Sequence, residues 1–144
     1  MTNEANKRVL VADDEADMRT FLTTVLELSG YEPIAARDGE EALSLAAERP
    51  PDLVILDLMM PRLENGMETY RRFRTDPLLS GVPVVMLSAI ARQAFFRSLA
   101  NLAIAPGCEI REPDAYLEKP PDAGDVLAAV AGILARAGRK PPRS

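Results

Sequence analysis

Short runs of aliphatic and β-branched residues alternate along the chain with longer segments in which apolar residues recur at helical spacing. This alternation is typical of a parallel sheet whose strands are joined by crossover helices that cover its faces. We therefore expect an α/β fold, a doubly wound five-stranded parallel sheet with helices on both faces. The predicted strands are Arg8–Ala12, Glu32–Ala36, Asp52–Asp57, Val82–Leu87 and Ala115–Glu118.

Capping residues, glycines and prolines mark where the helices between these strands begin and end. Asp38 is placed to cap the second helix, with Glu41 three residues later, as in a capping box. Gly30 is placed to end the first helix, and prolines follow the second and third. The predicted helices run from about Glu15 to Gly30, from Asp38 to Pro50, from about Asn65 to Asp76, over about 92–104, and from Asp122 onward.

The length and charge of the chain indicate one acidic domain. Its 144 residues fit a single domain of about 100–150 residues, and 17 Lys and Arg against 22 Asp and Glu give a net charge of −5. An acidic balance disfavours binding to nucleic acid or to anionic membranes, because phosphate groups attract Lys and Arg. We predict a domain over 7–135 and a flexible, solvated basic tail over 136–144; a specific docking element is the alternative for the tail.

The chain has no histidine and one cysteine, and this excludes several classes of function. Without imidazole there is no Ser-His-Asp triad, no phosphohistidine and no zinc finger. Cys108 alone forms no internal disulfide, which is compatible with a reducing cytoplasm. No apolar run approaches the roughly 18 residues of a membrane span or resembles a signal peptide. We therefore expect a cytoplasmic protein without a membrane partner.

Charged and hydroxyl side chains stand where the predicted strands end. The first strand is followed by Asp13-Asp14-Glu15, the third ends in Asp57, the fourth is followed by Ser88 and the fifth by Lys119. In an open parallel sheet, ligands bind outside the carboxyl ends of the strands. We therefore expect these groups to converge on one edge of the sheet.

Three carboxylates held together repel each other unless a positive charge neutralises them. Magnesium does this with oxygen ligands, commonly one or two carboxylates together with a phosphate. The Lys119 ammonium and the Ser88 hydroxyl could then hold the oxygens of a phosphoryl group. Taken singly, Asp13 and Asp14 could be helix caps, Ser88 a turn hydroxyl and Lys119 a surface lysine. Together they indicate an aspartate that accepts a phosphoryl group with the help of a metal.

Four segments in order resemble the response-regulator receiver domain of two-component signalling. They are Val9-Leu-Val-Ala-Asp-Asp-Glu15, Leu53-Val-Ile-Leu-Asp-Leu-Met-Met-Pro61, Val84-Val-Met-Leu-Ser-Ala89 and Ala115-Tyr-Leu-Glu-Lys-Pro120. The resemblance covers about residues 7–135. It implies a flavodoxin-like fold, similar to a chemotaxis regulator, with strand order 2-1-3-4-5.

The resemblance also implies a role for each site residue. Asp57 is the expected phosphoacceptor, Asp14 a direct Mg²⁺ ligand, and Asp13 a group that acts largely through bound water. The backbone carbonyl of Met59 completes the expected metal ligands. The remaining expected roles are Ser88 as the hydroxyl that follows the phosphoryl group, Lys119 as its ion-pair partner, Tyr116 as the switch aromatic and Lys119-Pro120 as a cis peptide bond.

Two loops depart from the family pattern. The segment Arg62–Gly66 is one residue longer than expected, which predicts a reshaped loop beside Asp57. Thirty residues separate Ser88 from Lys119, whereas a helix, a strand and two loops need about 23. The surplus of about seven residues is assigned to 105–114. A tolerated longer loop and an altered choice of partner both remain open for that segment.

The resulting functional hypothesis is a stand-alone receiver that takes a phosphoryl group from a histidine kinase or a histidine phosphotransfer protein. It would catalyse only its own phosphorylation and dephosphorylation, exist as a monomer or weak dimer, and act on an unidentified protein target. One alternative is a phosphatase of the haloacid-dehalogenase kind, disfavoured because Met59 stands where that class has an acid. The other is an interaction module on the same fold that is never phosphorylated, disfavoured by the complete set of acceptor, hydroxyl and lysine.

Overall fold

The computed structural model describes residues 7–60, 63–89, 94, 97 and 112–139. The predicted fourth helix lies outside the described residues, except for Ala94 and Arg97, which are helical. None of the helices in these ranges is long and apolar enough to cross a membrane. The elements are β1 (Arg8–Ala12), α1 (Ala16–Leu28), β2 (Glu32–Ala36), α2 (Gly39–Glu48), β3 (Leu53–Asp57), α3 (Leu63–Thr75), β4 (Val84–Ser88), β5 (Ala115–Glu118) and α4 (Ala123–Arg139).

The five strands form one parallel sheet in the order β2-β1-β3-β4-β5, which confirms the predicted fold class and strand order. The register aligns the strand ends that carry the candidate site. Asp57 on β3 pairs with Leu87 on β4, and Ser88 pairs with Glu118 on β5. Asp57, Ser88 and the residue after β5, Lys119, therefore lie along the same edge.

Both faces of the sheet are covered, which explains why the central strands are continuous apolar runs. Leu10 and Val54 face a core shared with α2 and α3. Val9 and Ile55 face the opposite core, shared with α1 and α4. Every residue of β3 and β4 is buried.

The backbone conformation of one glycine and two side-chain hydrogen bonds confirm several predicted helix ends. Gly30 follows α1 with a φ of 90°, a left-handed conformation that glycine adopts without steric cost. The Asp38 side chain accepts a 2.8 Å hydrogen bond from the Glu41 amide at the start of α2. At the start of α4, Asp122 accepts a 2.9 Å hydrogen bond from the amide of Gly124.

The predicted start of the third helix was two residues late. The helix begins at Leu63 rather than near Asn65, and Gly66 lies inside it. A side chain at Gly66 would overlap the carbonyl group of Leu58, the residue after Asp57. Gly66 therefore does not mark a helix boundary; it permits a close approach between α3 and the chain beside the acceptor.

The fourth strand was also predicted two residues early. It begins at Val84, because the Val82 amide donates to Leu79 in a turn and Pro83 has no amide hydrogen. At its other end the strand includes Ser88.

The buried side chain of Arg74 connects α3 with the residues directly before β5. Arg74 is 8% exposed, and its guanidinium donates to the carbonyl oxygens of Val82 at 3.2 Å and Glu112 at 2.7 Å. It also lies 3.2 Å from the carboxylate of Asp114. The same carboxylate accepts a 2.8 Å hydrogen bond from the amide of Val84. One guanidinium thus connects the end of α3 with the starts of β4 and β5.

The last helix extends to Arg139, so residues 136–139 of the predicted tail are helical. Residues 140–144 lie outside the described residues, and so do residues 105–111 of the surplus segment 105–114. The boundary of the domain at 135 therefore stays a prediction.

Candidate functional site

The strand ends bring together the side chains that the sequence predicted at this edge. Asp13 follows β1 directly, Asp57 ends β3, Ser88 ends β4, and Lys119 follows β5. The residues Asp13, Asp57 and Ser88 are all buried. Buried polar groups at strand ends require partners, and those partners define the site.

An acidic cluster forms its floor. Asp13, Asp14 and Asp57 each contribute a carboxylate oxygen, and these atoms all lie within 4.8 Å of one another. Asp13 and Asp57 are buried, whereas Asp14 is exposed. The Glu15 amide donates to Asp13 Oδ1 at 2.9 Å, and the Met59 amide donates to Asp57 Oδ1 at 3.1 Å. These hydrogen bonds from the backbone hold both buried carboxylates in place. The second oxygen of each carboxylate, Oδ2, lies beside the ammonium of Lys119.

The ammonium of Lys119 lies among three carboxylates. Its Nζ atom is 3.1 Å from Asp13 Oδ2, 3.2 Å from Asp57 Oδ2 and 3.0 Å from Glu15 Oε1. The contact with Glu15 was not predicted: its place directly after Asp14 indicates that it lies near the site, but not that it pairs with Lys119. Lys119 is therefore held both by the acidic cluster and by a carboxylate outside it.

The electrostatics of the site oppose full ionisation of the acceptor. Burial and the nearby Asp13 carboxylate raise the pKa of Asp57 to about 7, although Lys119 and the Met59 amide act in the opposite direction. Burial disfavours the charge on Lys119, but the carboxylates of Glu15, Asp57 and Asp13 outweigh it and raise the pKa of that ammonium. Lys119 therefore stays positively charged, and its single charge offsets only part of the negative charge of the neighbouring carboxylates.

These groups fit a magnesium ion. Asp13 Oδ2 is buried, and the one group of the described residues placed to neutralise it is the Lys119 ammonium, which lies 3.1 Å away as an ion pair. Carboxylate oxygens from three residues, one of them exposed to solvent, match the preference of Mg²⁺ for a few carboxylates and several waters. A divalent cation would also relieve the repulsion that raises the Asp57 pKa.

The remaining predicted residues lie on neighbouring strands. The amide of Lys119 donates to the backbone oxygen of Ser88 at 2.8 Å. Tyr116 on β5 pairs with Met86 on β4; its side chain is half-buried and packs against the core shared with α2 and α3. The Lys119-Pro120 peptide bond is cis, as the resemblance implied.

A known protein family matches most of this chain. The sequence pattern of the response regulator receiver domain matches residues 9–131. The chain belongs to this family. Phosphorylation and Mg²⁺ binding are typical of receiver domains, which are signalling domains rather than classical enzymes. The membership argues against the phosphatase alternative.

Curated relatives of this receiver domain are transcriptional regulators. The alkaline phosphatase synthesis transcriptional regulatory protein PhoP of Bacillus subtilis is 38% identical over 96% of this chain and 53% of its own length. The DNA-binding response regulator MtrA of Mycobacterium leprae is 36% identical over 94% of this chain and 54% of its own. The chain thus spans about half the length of the curated relatives it matches.

Solved receiver structures match nearly their whole length. A putative response regulator from Chloroflexus aurantiacus superposes with a TM-score of 0.76 at 30% identity, over 91% of this chain and 99% of that chain. The receiver domain of the Francisella response regulator 1452 gives a TM-score of 0.75 at 29% identity, over 92% and 99%. The described part of this chain therefore has the fold of these receiver domains.

Proposed function

We propose that this receiver accepts a phosphoryl group on Asp57 from a sensor histidine kinase or a histidine phosphotransfer protein. One observation carries the proposal: Asp57 is buried at the carboxyl edge, with oxygens of Asp13 and Asp14 within 4.8 Å of its own and the Lys119 ammonium 3.2 Å away. A carboxylate, a cation site and a fixed ammonium are the groups that phosphoryl transfer to an aspartate needs.

The transfer forms one bond and breaks one. A carboxylate oxygen of Asp57 attacks phosphorus, and the bond between phosphorus and the donor's imidazole nitrogen breaks, with its electron pair staying on that nitrogen. The product is an acyl phosphate on Asp57. The imidazole comes from the donor protein, because this chain has no histidine.

The residues around Asp57 would bind the metal ion and the phosphoryl oxygens. Asp14, Asp57 and the Met59 carbonyl would hold Mg²⁺ directly, and Asp13 would hold it largely through water. When bound, the ion neutralises charge on the phosphoryl oxygens. Lys119 would pair with one of those oxygens, since its ammonium already lies 3.2 Å from Asp57 Oδ2.

Ser88 and Tyr116 would transmit the modification to the surface. A phosphoryl group adds charge and strong hydrogen-bond acceptors, which can draw the Ser88 hydroxyl inward. The half-buried Tyr116 ring would then fill the space left behind and change the surface that a downstream protein target reads. Because about half of each curated relative lies outside the match, the stand-alone architecture, the absence of nucleic-acid binding and the monomeric or weakly dimeric state stay predictions.

Mass spectrometry after incubation with acetyl phosphate and Mg²⁺ tests the acceptor. We expect one phosphate-sized mass gain in the wild type and in Asp17→Ala, which changes an exposed acid in the first turn of α1. The gain should be lost in Asp57→Ala and on removal of Mg²⁺ with EDTA. A wild type that gains no mass under any metal condition would overturn the proposal in favour of the unphosphorylated interaction module. An Asp57→Ala variant that still gains the mass would show that another residue is the acceptor.

A further inference from the structure

Glu15 places a carboxylate at the rim of the site, outside the acidic cluster. It lies at the N-cap of α1, and its Oε1 atom accepts a 3.0 Å hydrogen bond from the ammonium of Lys119, 104 residues along the chain. The Glu15 side chain is 63% exposed, whereas that of Lys119 is 14% exposed. Glu15 therefore gives the lysine a third carboxylate partner, on the solvent side of the site.

The other two partners of Lys119 are members of the cluster that fits a cation. Nζ lies 3.1 Å from Asp13 Oδ2 and 3.2 Å from Asp57 Oδ2, and both residues belong to the group whose oxygens converge within 4.8 Å. An ammonium and a divalent cation near these carboxylates compete for the same negative charge. The position of Lys119 therefore affects how readily the cluster accepts metal.

We propose that Glu15 is a positioning residue that shares Lys119 with Asp13 and Asp57, weakens the hold of the ammonium on these two carboxylates and so favours Mg²⁺ binding. The inference rests on the metal site of the proposed function. Without the Glu15 carboxylate, the ammonium keeps only Asp13 and Asp57 as partners and moves toward them. The cation must then displace a more firmly held lysine, and its affinity falls.

A simple loss of nearby negative charge would also weaken cation binding, so the variants must separate charge from contact. Glu15→Gln removes the charge. Glu15→Asp keeps the charge but shortens the side chain by one methylene, about 1.5 Å, so that it no longer reaches Nζ. Asp17→Asn is the matched control: it removes an exposed charge from the first turn of α1, and Asp17 forms no ion pair with Lys119.

Calorimetric titration of the metal-free protein with MgCl₂ measures the effect. We expect Glu15→Gln and Glu15→Asp each to weaken Mg²⁺ binding about three- to tenfold, and Asp17→Asn to change it by less than about twofold. In a Lys119→Gln background, Glu15→Gln should change the affinity by less than about twofold, because its effect acts through the lysine. Thermal unfolding in EDTA checks that every variant is folded.

The Mg²⁺ affinities of these variants distinguish a positioning role of Glu15 from a simple effect of its charge. A Glu15→Asp affinity equal to the wild type, or a Glu15→Gln effect that persists without Lys119, would overturn the positioning role and leave only a charge effect. The comparison of Glu15→Asp with Asp17→Asn decides the question if Lys119→Gln does not fold. A wild type that binds Mg²⁺ and is phosphorylated, with Glu15 variants that match it, refutes this inference alone; a wild type that binds no Mg²⁺ refutes the proposed metal site as well.

Discussion

The amide nitrogen of Lys119 donates a 2.8 Å hydrogen bond to the carbonyl oxygen of Ser88. This bond continues the pairing of β4 and β5 beyond the last residue of β5. It holds the backbone of the proposed switch hydroxyl to the backbone of the proposed phosphoryl-binding lysine. Any inward movement of the Ser88 hydroxyl would therefore be a side-chain rotation on a fixed main chain.

Replacing Ser88 should separate phosphorylation from its consequences. We expect Ser88→Ala to accept a phosphoryl group on Asp57 but to lose the response at Tyr116, because the methyl group cannot bond to a phosphoryl oxygen. Amide hydrogen exchange around residue 116, measured before and after phosphorylation, tests this. Ser44→Ala, an exposed serine on α2, should respond like the wild type. Equal exchange changes in Ser88→Ala and the wild type would contradict the proposed switch.

The two neighbouring acids after β1 should differ in their effect on Mg²⁺. The Asp13 carboxylate is buried and already accepts a hydrogen bond from the Glu15 amide, whereas Asp14 is exposed. We expect Asp14→Ala to weaken Mg²⁺ binding by about tenfold or more and Asp13→Ala to weaken it less, since a direct ligand contributes more than one that acts through water. A MgCl₂ titration that gives equal affinities for both variants and the wild type would refute the assignment.

Asp57 should destabilise the metal-free protein at neutral and higher pH. Its pKa rises from 3.8 to about 7 in the folded state, chiefly through burial and then through the charge of Asp13. Folding therefore favours the protonated form, and this group's unfavourable contribution grows as pH rises from about 4 and is complete above about 7.

We expect Asp57→Asn to raise the free energy of unfolding by about 2 to 4 kcal/mol at pH 8 in EDTA, since each unit of a pKa shift corresponds to about 1.4 kcal/mol. The gain should shrink as pH falls from 7 toward 4. Urea unfolding at several pH values measures it, with Asp17→Asn as the control for loss of an acid. Saturating Mg²⁺ should narrow the difference, because it binds the folded wild type. A gain that is independent of pH would contradict the proposed cause.

Gly66 should be required for the packing of α3 beside the acceptor. A Cβ atom there would overlap the Leu58 carbonyl, so Gly66→Ala must displace the helix or the chain after Asp57. We expect a loss of about 3 kcal/mol in the free energy of unfolding, measured by urea denaturation. Gly81→Ala is the matched control, because nothing lies within 4 Å of a Cβ at that position. Similar stabilities for the two variants would show that the contact is not restrictive.

The sequence predicted the sheet and the convergence of polar side chains at its carboxyl edge because both depend on short-range patterns. The apolar run before Asp57 indicates a buried strand, and a parallel sheet brings the residues at its strand ends together. Gly66 misled the prediction of α3, since a glycine at a helix end and a glycine at a close backbone approach look alike in one sequence. The prediction of β4 failed at Val82 and Pro83, where an apolar pair belongs to a turn.

Contacts between distant side chains could not be predicted from the sequence. The ion pair of Glu15 with Lys119 depends on side-chain reach across 104 residues, and no periodic pattern encodes it. The same holds for Arg74, which resembles an ordinary basic residue in the last turn of a helix yet is almost fully buried. In both cases the partner is set by the three-dimensional arrangement of the strands.

The Arg74 guanidinium donates hydrogen bonds to the carbonyl oxygen of Glu112 and to the carboxylate of Asp114. These two residues flank Pro113 and lie directly before β5. A group on α3 therefore holds the start of the last strand, in addition to the pairing of that strand with β4. We therefore expect a change in the length of the span between β4 and Glu112 to leave Lys119 in place beside Asp57. A change in the segment before β5 would then alter the surface next to the last strand and spare the proposed phosphorylation site.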